Sequence, residues 1–223
     1  MAMDTAMDTA MDTARPRRRV RPQIQQRRER EQGELRALIL KEAAALFLEV
    51  GYERFSVRHL ADRIGYSATT VYLYFTDKDG LFQAVVDEGF ARFIARLRAA
   101  AESADGPLER LERLGEAYVR FGLQEPGYYR LMFLRRSDFL AGPAAGSTRP
   151  RIAALDILPD AVRQAMDAGA VHPGDAAATA DALWALMHGV VALAIEMPTF
   201  DEARVARAVT AALDLGRRGL GVR

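Results

Sequence analysis

Apolar residues recur at three- and four-residue spacings along most of the chain beyond Glu34. Leu35, Leu38, Ile39, Ala43, Leu46, Phe47 and Val50 form the first such stripe, which predicts an amphipathic helix with one face in a core. Gly51 supplies a C-terminal stop. Ser56 is placed to cap a short helix carrying Val57, Leu60, Ala61 and Ile64, which Gly65 ends. Ser67 caps a third short helix through about Tyr74, and Asp77 caps a long fourth helix that begins near Lys78 and runs past Leu97. Pro107 stands where the first turn of a helix tolerates proline, ahead of a stripe at Leu108, Leu111, Leu114, Tyr118 and Phe121. A short aromatic segment, Tyr128–Leu134, follows Pro126-Gly127. Ala141–Pro150 has the Gly/Pro/Ser content of a loop. Helices are predicted again over Ile152–Ala168, Asp175–Glu196 and Glu202–Leu215, with a turn from Gly169 to Gly174 and a break at Pro198. No strand pattern of substance appears. The prediction is an all-α fold of about nine helices.

The N-terminal end breaks this pattern. Met3–Ala14 is three copies of Met-Asp-Thr-Ala, a low-complexity repeat that cannot build a core and is expected to be disordered. Met1, Met3, Met7 and Met11 could each begin translation. Arg15–Arg30 then carries eight arginines, and Pro16 and Pro22 argue against regular helix at its start. This stretch reads as a solvated tail or as an arm that follows phosphates or enters a minor groove, and a tail that orders on DNA satisfies both. The expected organisation is a disordered repeat and basic arm over residues 1–33, a helix-turn-helix domain over 34–80, and a larger helical domain over 81–223.

Composition narrows the function classes. The 223-residue chain is 50% hydrophobic and 27% charged, ordinary for a globular protein and long enough for a real core. It has no cysteine, so disulfides and thiolate metal sites are excluded. His59, His172 and His188 lack metal-ligand spacing, and no metal, cofactor or catalytic residue is predicted. The net charge of +1 is uneven. Residues 15–80 carry 14 Lys+Arg against 9 Asp+Glu, whereas 81–223 carry 17 against 18. A polyanion partner therefore belongs at the N-terminal end. The longest apolar stretch, Ala182–Ile195, is too short to span a bilayer and no signal pattern opens the chain, so no membrane partner and a cytoplasmic location are expected.

The informative unit is Ser56–Leu81, two short helices around a tight Gly65-Tyr66-Ser67 turn. The first presents Leu60, Ala61 and Ile64 to a scaffold. The second offers small and polar residues that allow backbone approach to base edges and hydroxyl contacts to phosphates. Ile39–Leu81 resembles the DNA-binding domain of the tetracycline-repressor (TetR) family. The likeness rests on the Ile39–Val50 helix, Gly51-Tyr52, Ser56-Val57-Arg58-x-Leu60-Ala61, Gly65-x-Ser67, and Val71-Tyr72-x-Tyr74-Phe75 followed by Lys78 and Leu81. The resemblance implies double-stranded DNA as partner. It implies phosphate contacts from Ser67, Tyr72 and Lys78, base-edge contacts from Ala68, Thr69 and Thr70, and flanking roles for Ser56 and Arg58. Arg58 reads equally as a solvated arginine. Phe75 and Tyr74 read as core, and His59 as a helix-surface or cap residue. Leu73 departs from the His or other polar residue that many family members carry there.

For the second half the same resemblance implies a small-molecule effector and a homodimer built through the last two helices. Trp184-x-x-x-His188-Gly189 and Pro126–Phe133 are similar to motifs of one subset of that family. Trp184 and His188, four apart, share a helix face, and Gly189 allows close approach of another helix. Tyr118, Phe121, Tyr129, Phe133, Met166, Trp184, Met187 and His188 are the candidate effector-binding residues, with an ordinary core as the competing reading. The implied mechanism is a two-state dimer whose recognition helices stand about 34 Å apart on a near-palindrome and which an effector releases through the Lys78–Ala100 helix. Repression is the expected outcome. The alternatives are a constitutive or partner-controlled DNA-binding regulator and, from another class, an α-helical enzyme, against which no nucleophile–base pair or phosphate loop is present.

Overall fold

The computed structural model describes residues 20–135 and 149–221. The Met-Asp-Thr-Ala repeat and all but the end of the 141–150 segment lie outside the described residues. The described chain is all-α: α1 (Val20–Arg54), α2 (Val57–Ile64), α3 (Ala68–Tyr72), α4 (Lys78–Glu102), α5 (Pro107–Gln124), α6 (Pro126–Tyr129), α7 (Arg149–Asp167), α8 (Ala176–Glu196) and α9 (Glu202–Gly219). A π-helical turn, Arg130–Leu134, continues α6, with the Arg135 amide donating to the Arg130 carbonyl at 3.0 Å.

The chain divides into two units, residues 1–38 and 39–223. In the first, regular helix begins at Val20 rather than at Glu34. Pro22 falls in the first helical turn, where its missing N–H costs nothing. Arg27–Glu31 and Arg30–Glu34 pair at i,i+4, at 3.1 and 2.8 Å. These polar pairs, rather than an apolar stripe, mark the helix, so hydrophobic periodicity passes over it.

In the second unit α1 is broken at Gly51, the predicted stop, whose φ of 77° is non-helical, and a last turn follows to Arg54. Each short helix of the next segment is closed by its own residues. Ser56 Oγ accepts from the His59 amide, Ser67 Oγ from the Thr70 amide and Asp77 Oδ1 from the Gly80 amide, at 3.1, 3.0 and 2.7 Å. Gly65 closes α2 at φ 74°, a left-handed conformation that glycine adopts without strain. The core of this segment is Ile39, Leu46 and Phe47 of α1, Leu60 and Ala61 of α2, Val71 of α3, and Leu81, Phe82 and Val85 of α4, all buried. Phe47 stacks on Phe55 at 3.9 Å and meets Phe82 edge-on at 5.0 Å.

Beyond it, α4 packs on α5 and α7, α5 on α7 and α8, and α8 on α7 and α9. Gly122 lets α5 and α8 close together, since a Cβ there would fall 2.3 Å from Val191 Cγ1. The sequence expectation about membrane length is corrected for α8. The helix runs 21 residues at a mean hydropathy of 1.6, long and apolar enough to cross a membrane by length and composition. Ala180, Met187, Val190 and Val191 are buried on this helix, which packs against α5, α7 and α9, while much of its remaining apolar surface is open in the protomer.

Candidate functional site

Two regions gather the residues singled out from the sequence. The first is the outer face of α2 and α3. Val71 is fully buried, which turns α3 so that Thr69 and Tyr72 face outward. Tyr72 is 52% exposed and Leu73, just after the helix, 80%. Ser56, Arg58 and Ser67 are exposed, while Ala68 and Thr70 are half-buried. Ser67 Oγ and Thr70 Oγ1 lie 2.8 Å apart, so the two hydroxyls share one proton and leave the other free for an outside acceptor. Phe75 is buried and Tyr74 half-buried, as expected of core residues. Lys78 leans inward. Its Nζ donates to the Glu53 carbonyl at 3.3 Å and lies 4.1 Å from the Tyr52 ring centroid, tying α4 to the end of α1. Arg63 on α2 clamps the same scaffold, bonding Glu42 at 3.0 Å and Glu49 at 2.6 Å. The Arg63 hydrogen bond holds the Glu49 carboxyl below its usual range.

The second region is a partly buried polar cluster between α5, α6 and α8. Trp184 Nε1–H donates to Tyr118 Oη at 3.0 Å. Tyr118 Oη lies 2.9 Å from Tyr129 Oη, and Tyr129 Oη lies 2.6 Å from His188 Nδ1. Tyr118 Oη is also 3.2 Å from that nitrogen. Burial pushes the Tyr118 phenol up to about 12, against smaller opposing effects of its bonds to Tyr129 and Trp184. Burial likewise raises Tyr129 and lowers His188, so all three groups are held neutral. The Trp184 and tyrosine donors are all satisfied when the chain runs one way: Trp184 N–H to Tyr118, Tyr118 O–H to Tyr129, Tyr129 O–H to His188 Nδ1, which puts the imidazole proton on Nε2.

Two small apolar cavities flank this cluster, each of about 80 Å³. Tyr118, Trp184 and Met187 line the first; Tyr118, Phe133 and Trp184 line the second. The other candidates are placed differently. Phe121 is fully buried against Phe93, with their ring centroids 5.1 Å apart, and Tyr129 and His188 stand behind the walls as hydrogen-bond partners of Tyr118. Met166 borders neither cavity and lies near Gly174. Leu97, Leu158 and Leu213 line the space but were not singled out from the sequence. Nothing in a leucine-rich helical stripe distinguishes a wall from a filled core.

The aromatic segment runs from the cluster to α1. Tyr129 and Phe133 face the cluster, with Phe133 5.8 Å from the His188 ring. At the other end a Cβ on Gly127 would sit 2.8 Å from Leu48 of α1. Arg130 anchors the π-turn to the end of α8, through Glu196 and the Ile195 carbonyl, both at 2.7 Å.

Known proteins resemble the chain in both parts. Residues 39–85 match the family described as bacterial regulatory proteins, tetR family, and residues 111–215 match the tetracyclin repressor-like C-terminal domain. The transcriptional repressor ComR of Escherichia coli is 43% identical over 60 residues, 27% of this chain and 29% of ComR. The chain spans about half or less of the length of the curated relatives it matches. Solved structures are covered more fully. A Rhodococcus sp. RHA1 protein is 32% identical with a TM-score of 0.71, over 83% of this chain and 95% of that one. A TetR-family transcriptional regulator from Pectobacterium atrosepticum is 28% identical with a TM-score of 0.65, over 85% and 95%.

Proposed function

The chain belongs to the TetR family of DNA-binding transcriptional regulators, and from that membership we propose that it is a cytoplasmic homodimeric repressor which a small-molecule effector releases from a near-palindromic operator. One observation carries the DNA reading. Around α3 the apolar side is sunk into the core while Arg58, Ser67, Thr69 and Tyr72 are presented outward. Short hydroxyl side chains let a helix enter the major groove, and Thr69 and Thr70 can meet base edges there. Ser67, Tyr72 and Lys78 serve the phosphates, Lys78 from a position already braced by Tyr52.

The dimer reading rests on α8 and α9. A Cβ on Gly189 would meet nothing within 4 Å among the described residues. Leu193 and Leu215 are exposed large hydrophobics at 41% and 61%. Two such helices per protomer can form an isologous four-helix contact.

Random-sequence DNA selection with the full chain tests this function. The expected product is a near-palindrome with half-sites about one helical turn apart; enrichment of no common sequence would contradict it. A second reading, a regulator without a small-molecule effector, is favoured by the small cavities, since drug-sized ligands occupy about 300–1,000 Å³. Effector release therefore requires the cavity to open.

A further inference from the structure

The two cavities share four residues: Leu97, Tyr118, Leu158 and Trp184. Of these, only Trp184 and Tyr118 are joined by a hydrogen bond, at 3.0 Å. The shared wall is thus closed by a single polar contact between two aromatic side chains, inside otherwise apolar surroundings. A cavity of about 150 Å³ is what one benzene ring needs, so neither 80 Å³ lobe admits a ring alone. Swinging the Trp184 indole aside would merge the lobes and add the space that the indole occupies. Trp184 is 37% exposed, so one side of its ring is open to movement.

The cluster's hydrogen bonds restrict what can open this wall. Tyr118 and Tyr129 both spend their protons within the cluster, the last one on His188. When Trp184 leaves Tyr118, the donor released is the indole N–H, and while it stays against the apolar wall it needs a new acceptor. An entering oxygen acceptor meets it. Full charges are disfavoured. The charged groups lining the lobes are Glu112 and Arg217 on one and Asp181 on the other, so carboxylates outnumber guanidinium among the described lining residues. An anion meets that excess, and an ammonium meets an indole N–H at the wall. An unpaired charge of either sign is expensive in an apolar cavity.

We propose that the two lobes are halves of one effector site gated by the Trp184–Tyr118 bond, and that its ligand is an uncharged, slender apolar molecule whose carbonyl, ester or ether oxygen accepts the Trp184 indole N–H. This rests on the reading of α4–α9 as an effector domain and names the ligand's chemistry.

Trp184 is the single tryptophan of the chain, so its emission reports on the gate directly. The probes are 2-octanone, octanoate, octylammonium and 2-methyl-1-octene, the last matching the ketone in shape without its oxygen. In the full chain, free of DNA, 2-octanone is expected to shift Trp184 emission saturably and to bind at least tenfold more tightly than either charged probe. By calorimetry, Trp184→Phe should weaken 2-octanone at least fivefold and leave the alkene within twofold. Tyr118→Phe, which keeps the ring but releases the indole beforehand, should bind 2-octanone at least as tightly as the parent. Charged probes binding as well as the ketone, equal loss of ketone and alkene in Trp184→Phe, or no saturable binding by any probe would each overturn the proposal. Binding of a charged probe in place of the ketone would leave an effector domain standing with a different ligand class. Ketone binding as predicted, with no release of selected DNA, would overturn effector release and leave this site standing.

Discussion

His188 accepts at Nδ1 from the Tyr129 hydroxyl, with 2.6 Å between the two atoms, and burial holds its imidazole neutral. Protonating it would turn Nδ1 into a donor and leave one hydroxyl of the cluster without an acceptor. The folded-state pKa lies below the ordinary 6.5. The unfolded chain therefore binds the proton first as pH falls. The stabilisation is complete above about pH 6.5 and is lost as pH drops through the depressed folded value. Thermal melts between pH 8 and 5 are expected to show Tm falling below about pH 6.5, with His188→Gln flattening that fall; a parallel fall in the variant would contradict it. The residues of this cluster were each legible as pocket candidates. Their bonding to one another was not, because Tyr118 and Tyr129 lie 70 and 59 positions from His188 in sequence. The Ser67 cap needed only local chemistry, whereas the phosphate roles of Ser67 and Tyr72 came from the family resemblance. Lys78 was legible as a basic residue in the first turn of α4, but not its bracing by Tyr52 and Glu53.

Elements were legible where local chemistry decides them. Ser56, Ser67 and Asp77 each cap the helix whose start they predicted. Loss of such a cap typically costs about 1 kcal/mol, enough to matter for helices as short as α3. Boundaries set by other means were harder to read. The start of α1 depends on i,i+4 ion pairs, and α9 continues past Leu215 to Gly219. The π-turn at Arg130–Leu134 has no sequence signature; packing at both ends holds it, by Arg130 against Glu196 and by Met132 against Gly89. Helix approach is a further property that periodicity cannot give. Gly122→Ala places a methyl group against Val191, where the Cβ position is 2.3 Å away. Overpacking of this kind costs about 1–3 kcal/mol, so chemical denaturation should show a lowered midpoint. Gly189→Ala, with open space around it in the protomer, should leave the stability of the isolated protomer near that of the parent. An unchanged midpoint for Gly122→Ala would mean that α5 and α8 are not in close contact.

At the scale of the whole molecule, the all-α class was legible because every long apolar stripe has the helical period, and the described residues contain no strand. The domain that reads DNA was legible because its function depends on short motifs. The cavities proposed as an effector site were not, since a cavity is the space left when stripes fail to mesh, and composition does not encode that volume. The segment Pro126–Leu134 spans from Leu48 of α1 to the Tyr118–Tyr129–His188 cluster, so the proposed effector, by rearranging the cluster, would act on α1 through packed atoms. Such coupling is reciprocal. A ligand that weakens operator binding by some factor must bind the operator complex more weakly by the same factor, and titrating the ligand with and without selected DNA should return matching ratios. Equal ligand affinity in both states would contradict an allosteric release.

The central claim is sequence-selective DNA binding through the α2–α3 face, and a salt series on selected DNA tests it most directly. Parent protein, Tyr72→Ala and Lys78→Ala would be compared on the selected site and on unrelated duplex. The parent should show a steep salt dependence, with about 0.9 in slope for each neutralised phosphate. Tyr72→Ala, an exposed and uncharged position, should weaken binding at unchanged slope and unchanged Tm. Lys78→Ala should weaken binding and lower the slope by about 1 per protomer. Binding that is indifferent to sequence, and that keeps its strength and slope in both variants, would contradict the account and assign the DNA contact to the arginine-rich segment alone.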